Sequence, residues 1–119
     1  MLVRKIIITL STLLYALLII YSSLSNLNNS VQFKFEHMDK LIHYVIYSIF
    51  SLLVYNTAKA YNLKKSLIIT VVLTIIFGII IELCQSILTT YRNFELLDIF
   101  ANIMGTLTIA IFLNSKKHC

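Results

Sequence analysis

The stretch SLIITVVLTIIFGIIIELCQSILTTY, residues 66–91, decides the class of this chain, and Glu82 is the one charged residue in it. A buried strand run ends after about 4–8 residues. This run continues far past that, and as a helix rising about 1.5 Å per residue it outspans a hydrocarbon layer about 30 Å thick. Its only reasonable solvent is lipid. Working outward, three more runs have the same character. The first goes from Ile6 to about Leu24 without a charge; the second goes from Leu41 to Ala58, broken by His43 and a few hydroxyls; the last goes from about Leu96 to Leu113, with Asp98 and Asn102 in its first turns. The expected fold is all-α: a four-transmembrane-helix bundle with an outer-face polar pocket. It forms a single integral membrane domain over residues 1–119, with helices at about 6–24, 41–58, 66–91 and 96–113.

Composition agrees. Of 119 residues, 59% are hydrophobic and 13% charged, with a mean hydropathy of +0.87. A soluble domain carries about 25% charged residues, so a small water-exposed globule is excluded. The net charge of +5 does not point to nucleic acid, because the ten Lys and Arg form no basic stripe. Cys84 and Cys119 are too few for a disulfide framework. The first run, behind Arg4 and Lys5, exceeds a signal-peptide core of about 7–15 residues. Ser22-Ser23-Leu24-Ser25 is a poor cleavage site, so the run is expected to stay as a helix.

Orientation follows from Lys and Arg in short loops. Arg4, Lys5, Lys59, Lys64, Lys65, Lys116 and Lys117 fall on one side; Lys34, Lys40 and Arg92 fall on the other. Both termini are therefore expected in the cytoplasm, with the chain in the cytoplasmic membrane. In the first outer loop, Asn26, Asn28, Asn29 and Ser30 make a polar turn. Val31 to Phe35 alternates apolar and polar, as a short strand or an interfacial segment anchored by Phe33 and Phe35.

With this orientation the polar residues converge. Asp39 and Lys40 enter the second helix, and His43 lies four residues after Asp39 on the same face, with Tyr47 a turn deeper. Glu82 is about 24 Å from the start of the third helix, in the outer half of the bilayer, and Gln85, Ser86 and Thr89 continue its face outward. Arg92 closes that helix or begins the loop, and Asp98 starts a face continued by Asn102 and Gly105. A charge near the bilayer centre costs about 2.5–3.5 kcal/mol on insertion scales, so Glu82 should face the interior, with Lys40, Arg92 or His43 as partner. The cytoplasmic halves of the spans read as almost purely apolar, offering only Ser and Thr.

Interhelical polar contacts also hold membrane bundles together, at about 0.6 kcal/mol each. Gly105 and the tyrosines Tyr44, Tyr47 and Tyr55 are explained by packing, and Asn102 alone is explained as well by packing as by a ligand. Six polar groups at one depth, Asp39, His43, Glu82, Gln85, Arg92 and Asp98, ask for more than such contacts and point to a ligand site.

These residues, Asp39-Lys40-Leu41-Ile42-His43, Glu82-Leu83-Cys84-Gln85, Arg92, and Asp98-Ile99-Phe100-Ala101-Asn102-Ile103-Met104-Gly105, resemble the VanZ-like membrane proteins. The family's pattern is an Asp-Lys-x-x-His box, a Glu-x-x-Gln box, an Arg and an Asp-x-x-x-Asn-x-x-Gly box, and the match runs over residues 39–105. The resemblance implies a bacterial cell-envelope role. The family takes its name from a protein associated with low-level teicoplanin resistance, and the resemblance supplies no reaction.

The expected function is binding, with modification left open, of a lipid headgroup or lipid-linked precursor at the outer face, with an effect on glycopeptide susceptibility. His43 and Glu82 are the candidate catalytic pair, since imidazole exchanges protons near neutral pH and a buried carboxyl suits general acid–base work. Asp39, Lys40, Gln85, Arg92, Asp98 and Asn102 are the candidate substrate-binding residues, with Arg92 offering a bidentate fork to phosphate. Asp39, Glu82 and Asp98 could share a divalent cation, but no ligand spacing is diagnostic, so neither a metal site nor a cofactor is expected. No nucleophile elbow, P-loop or zincin motif is present. The alternative is a non-catalytic membrane factor that recognises a lipid or a partner protein through the same residues. A transporter ranks third, because it wants polar residues through the full membrane thickness. The oligomeric state is not legible.

Overall fold

The computed structural model describes residues 2–24, 38–88 and 96–117. They form four helices: α1 (Leu2–Leu24), α2 (Met38–Ala60), α3 (Ser66–Leu88) and α4 (Leu96–Lys117). All four are long and apolar enough to cross a membrane, and no strand occurs among the described residues. The 23 residues of α3 reach about 34 Å at 1.5 Å per residue. The helices extend past several expected limits. α1 takes in Arg4 and Lys5, α2 takes in Asp39 and Lys40, and α4 runs on to Lys117. Helical hydrogen bonding need not stop at the hydrocarbon edge, and Lys and Arg stems can carry their charges out to the headgroups. The expected segment at Val31 to Phe35 lies outside the described residues.

α2 is the central helix, packed against the other three, and α4 packs against α2 and α3. The connection from α2 to α3 is short because α2 ends in a tight cap. Asn62 takes a left-handed backbone (φ 57°). Its N–H donates to Lys59 O at 3.0 Å, and the Leu63 N–H donates to Ala58 O at 3.1 Å. This is a Schellman pattern, and Asn tolerates its left-handed position better than most side chains. α2 and α4 run in the same direction, and Gly105 sets their separation. A Cβ there would collide with the Tyr44 carbonyl oxygen and come within 3.0 Å of Ser48 Oγ. Ser48 Oγ donates to Tyr44 O at 2.8 Å and reaches Gly105 O at 3.3 Å.

The interior is more polar than the lipid-facing surface. Ile68, Val72, Leu73, Ile76, Ile80, Leu83 and Ile87 of α3 are exposed, whereas its buried positions Ser66, Thr70, Thr74, Gly78 and Glu82 recur every four residues. In water this would be inside out; in lipid it removes polar groups from hydrocarbon. The buried apolar part is a small plug of Ile19, Tyr47, Phe50 and Ile81. There Phe50 meets Phe77 with ring centroids 4.8 Å apart and Tyr15 at 6.0 Å. The polar groups buried below that plug and around it include the Ser and Thr hydroxyls that the sequence offers there. Ser51, Ser66, Thr70, Thr74 and Thr106 are all buried, because their hydroxyls fall on the bundle-facing stripe.

Candidate functional site

The expected residues that the structure describes gather at one end of the bundle. Lys40 Nζ lies 3.0 Å from Asp98 Oδ1, and His43 Nε2 lies 3.9 Å from Asp98 Oδ2. Asp98 is 1% exposed in its side chain and Lys40 23%. The carboxylate is thus enclosed while the ammonium still reaches the surface. Lys40 and His43 sit on successive turns of one face of α2, and Asp98 starts α4, so the α2–α4 contact at Gly105 fixes this pair. Asp98 also stands in the first turn of α4, where the helix dipole favours a negative charge.

α3 supplies the other half. Glu82 and Gln85 are buried, and Gln85 Nε2 donates to Ser23 O at 2.9 Å, tying α3 to the end of α1. Tyr47 of α2 is buried as well. The register between α3 and α4 is set at Gly78, where a Cβ would stand 3.1 Å from Asn102 Nδ2 and 3.3 Å from Tyr47 Cε1. The two helices run antiparallel. One turn from this crossing toward the Lys40 end therefore brings Glu82 to the level of Asp98, and one turn toward the opposite end brings Thr74 to the level of Thr106.

Reasoning from sequence did not single out the Thr74–Thr106 level. Thr9, Thr12, Thr57, Thr70 and Thr108 each donate to the carbonyl four residues earlier. Thr74 and Thr106 do not. Their hydroxyls, with Tyr47 OH and Asn102 Oδ1, are buried and have no hydrogen-bond partner among the described residues. The signal was available as the four-residue repeat from Ser66 to Glu82.

Arg92 and the Asp39 side chain lie outside the described residues. No three His, Cys, Asp or Glu side chains converge to hold a metal among the described residues. The cavities found among the described residues do not include the expected outer-face pocket. Two lie at the opposite end around Lys59, a third lies nearby between Asn56 and Lys116, and an apolar groove runs along Tyr15, Leu18 and Ile46.

A family model, VanZ/LLP1, matches residues 3–116. The chain belongs to the VanZ/LLP1 family. That membership, with four apolar helices, makes it a multi-pass membrane protein. The match takes in all four helices of this VanZ/LLP1 chain, so the Lys40–Asp98 pair and Glu82 sit inside the family unit and not on an appendage. No curated protein and no solved structure matches the chain.

Proposed function

We propose that this protein binds the anionic headgroup of an envelope lipid or lipid-linked precursor at the end of the bundle that carries Lys40, His43, Glu82, Gln85 and Asp98. One observation carries the reading: Asp98, enclosed at 1% exposure, holds Lys40 at 3.0 Å while Lys40 keeps 23% of its side chain exposed. An ammonium has three donors. Asp98 orients it, and in this reading its exposed side meets a phosphate or carboxylate. Retaining two carboxyls, Glu82 and Asp98, at membrane depth is costly, and bundle packing alone could be achieved with neutral groups.

In this reading Lys40 and Arg92 contact the anion, and Asp39, Gln85 and Asn102 position it. Glu82 and His43 are the acid–base pair of any headgroup transfer or hydrolysis. The distribution of Lys and Arg supports an outward-facing site, both termini in the cytoplasm and residence in the cytoplasmic membrane. An effect on glycopeptide susceptibility follows if the bound group is a cell-wall precursor. The test incubates purified protein with isotopically labelled envelope lipids and follows retention and turnover by mass spectrometry. Wild type should retain an anionic lipid that Lys40→Gln releases. Turnover that disappears in Glu82→Gln would assign catalysis. Equal retention by wild type and Lys40→Gln would overturn the proposal.

A further inference from the structure

The end of the bundle away from this cluster carries a different chemistry. It is built by the start of α1, the end of α2, the 61–65 turn, the start of α3 and the end of α4. The segments 1–12, 54–70 and 110–119 contain seven Lys and Arg and no Asp or Glu. Positive charge at this end serves topology. Topology alone, however, asks only for charges in the loops and does not ask for cavities between the helix ends.

Such cavities are present, and two of them border Lys59. One, of about 570 Å³, opens between α1 and α2 and is lined by Arg4, Lys5, Asn56 and Lys59, with Ile8 as an apolar wall. The other, of about 600 Å³, lies among α2, α3 and α4 and is lined by Lys59, Lys64, Lys65 and Asn114, with Leu67 and Ile68 as its apolar side. Lys59 borders both. The walls are fixed by polar contacts. Tyr61 OH and Thr9 Oγ1 are 2.9 Å apart, Lys5 Nζ stands 5.5 Å from the centre of the Tyr61 ring, and Thr12 and Thr57 hydroxyls meet at 2.7 Å. Lys65 holds a left-handed backbone (φ 56°) immediately before α3, a conformation that disfavours any residue with a Cβ. Lysine stands where glycine would relax the chain.

We propose that these paired cavities bind the phosphodiester headgroup of an anionic phospholipid, with Lys59 between them and Arg4 and Lys5 completing the charge. Basic pockets between helix ends, open to a membrane surface, suit such headgroups. The apolar walls at Ile8 and Ile68 leave the acyl chains a path down the lipid-facing surface, where Ile68 is exposed. This site is separate from the Lys40–Asp98 cluster and shares no residue with it.

The test purifies the chain from membranes containing phosphatidylglycerol and phosphatidylcholine and counts retained lipid by native mass spectrometry. Wild type should keep about one phosphatidylglycerol per chain beyond any that Lys40→Gln releases. Lys59→Gln, and separately the pair Arg4→Gln and Lys5→Gln, should each lower its retention by about fivefold per charge removed. Lys34→Gln, the same charge change elsewhere in the chain, should retain as much as wild type. If Lys59→Gln fails to fold, as judged by helicity in phosphatidylcholine, the Arg4/Lys5 pair decides. Equal retention by wild type and these variants would overturn the proposal, as would equal retention of phosphatidylcholine. Displacement by low concentrations of soluble glycerol phosphate would overturn the lipid assignment in favour of a free-phosphate site.

Discussion

Replacing Gly105 by Ala puts the α2–α4 contact under direct strain. The added Cβ meets the Tyr44 carbonyl oxygen, Ser48 Oγ at 3.0 Å and Ser48 N at 3.2 Å. Two of these atoms are backbone, so relief requires α2 and α4 to move apart. Overpacking of this kind costs about 1–3 kcal/mol, and backbone partners place it at the upper end. The better helix propensity of Ala returns about 1 kcal/mol, which leaves a net loss of about 2 kcal/mol. Gly78→Ala makes the useful comparison. Its Cβ would approach Asn102 Nδ2 at 3.1 Å and Tyr47 Cε1 at 3.3 Å. Both are side-chain atoms that can turn aside, so the net change should lie within about 1 kcal/mol of zero. Thermal unfolding followed by circular dichroism in nanodiscs would rank the two variants. Gly105→Ala should also loosen Lys40 from Asp98, since the same interface holds both, and so weaken headgroup retention. A Gly105→Ala protein as stable as wild type, or one less affected than Gly78→Ala, would refute the reasoning.

Lys40→Gln should cost more stability than Asp98→Asn, up to about 3 kcal/mol, because it strips a close partner from an enclosed carboxylate while the reverse change leaves a lysine that reaches the surface; chemical unfolding of both variants checks the order. Thr74→Val and Thr106→Val should each stabilise the fold by about 1 kcal/mol, since each removes a buried hydroxyl that finds no partner among the described residues; a lower melting temperature would show that a bound group occupies these hydroxyls. Cysteine labelling of intact cells should reach positions 30 and 92 and should fail at position 62; labelling of 62 from outside would reverse the orientation.

The class of fold was legible because lipid imposes a long, simple signal. The 66–91 stretch states it without help from its neighbours, and the other three runs repeat it. Helix ends were less legible. Asp39, Lys40 and Lys117 look like loop residues by hydropathy, yet backbone hydrogen bonding carries the helices through them. Within the site, the spacing of Lys40 and His43 put both on one face, and both approach Asp98 in the structure. Which acid Lys40 meets was not legible, because it depends on the α2–α4 separation that Gly105 sets. Gly105 and Tyr47 read as packing residues, and both pack. The Thr74–Thr106 level was not singled out, for a different reason. Ser and Thr are nearly neutral in hydropathy and usually satisfy themselves on their own helix, so Thr70 and Thr74 look alike in sequence. Only the structure separates the one that bonds backward from the one that does not.

The central claim is that Glu82 belongs to a binding site and is more than a bundle contact. Glu82→Gln keeps the shape and most of the hydrogen bonding, and single polar contacts in membranes are weak. The decisive measurement is complementation of an envelope phenotype by Glu82→Gln, read beside the amount of membrane-inserted protein. The account predicts near-normal protein and lost function. Full complementation at normal abundance would contradict it and leave Glu82 as packing.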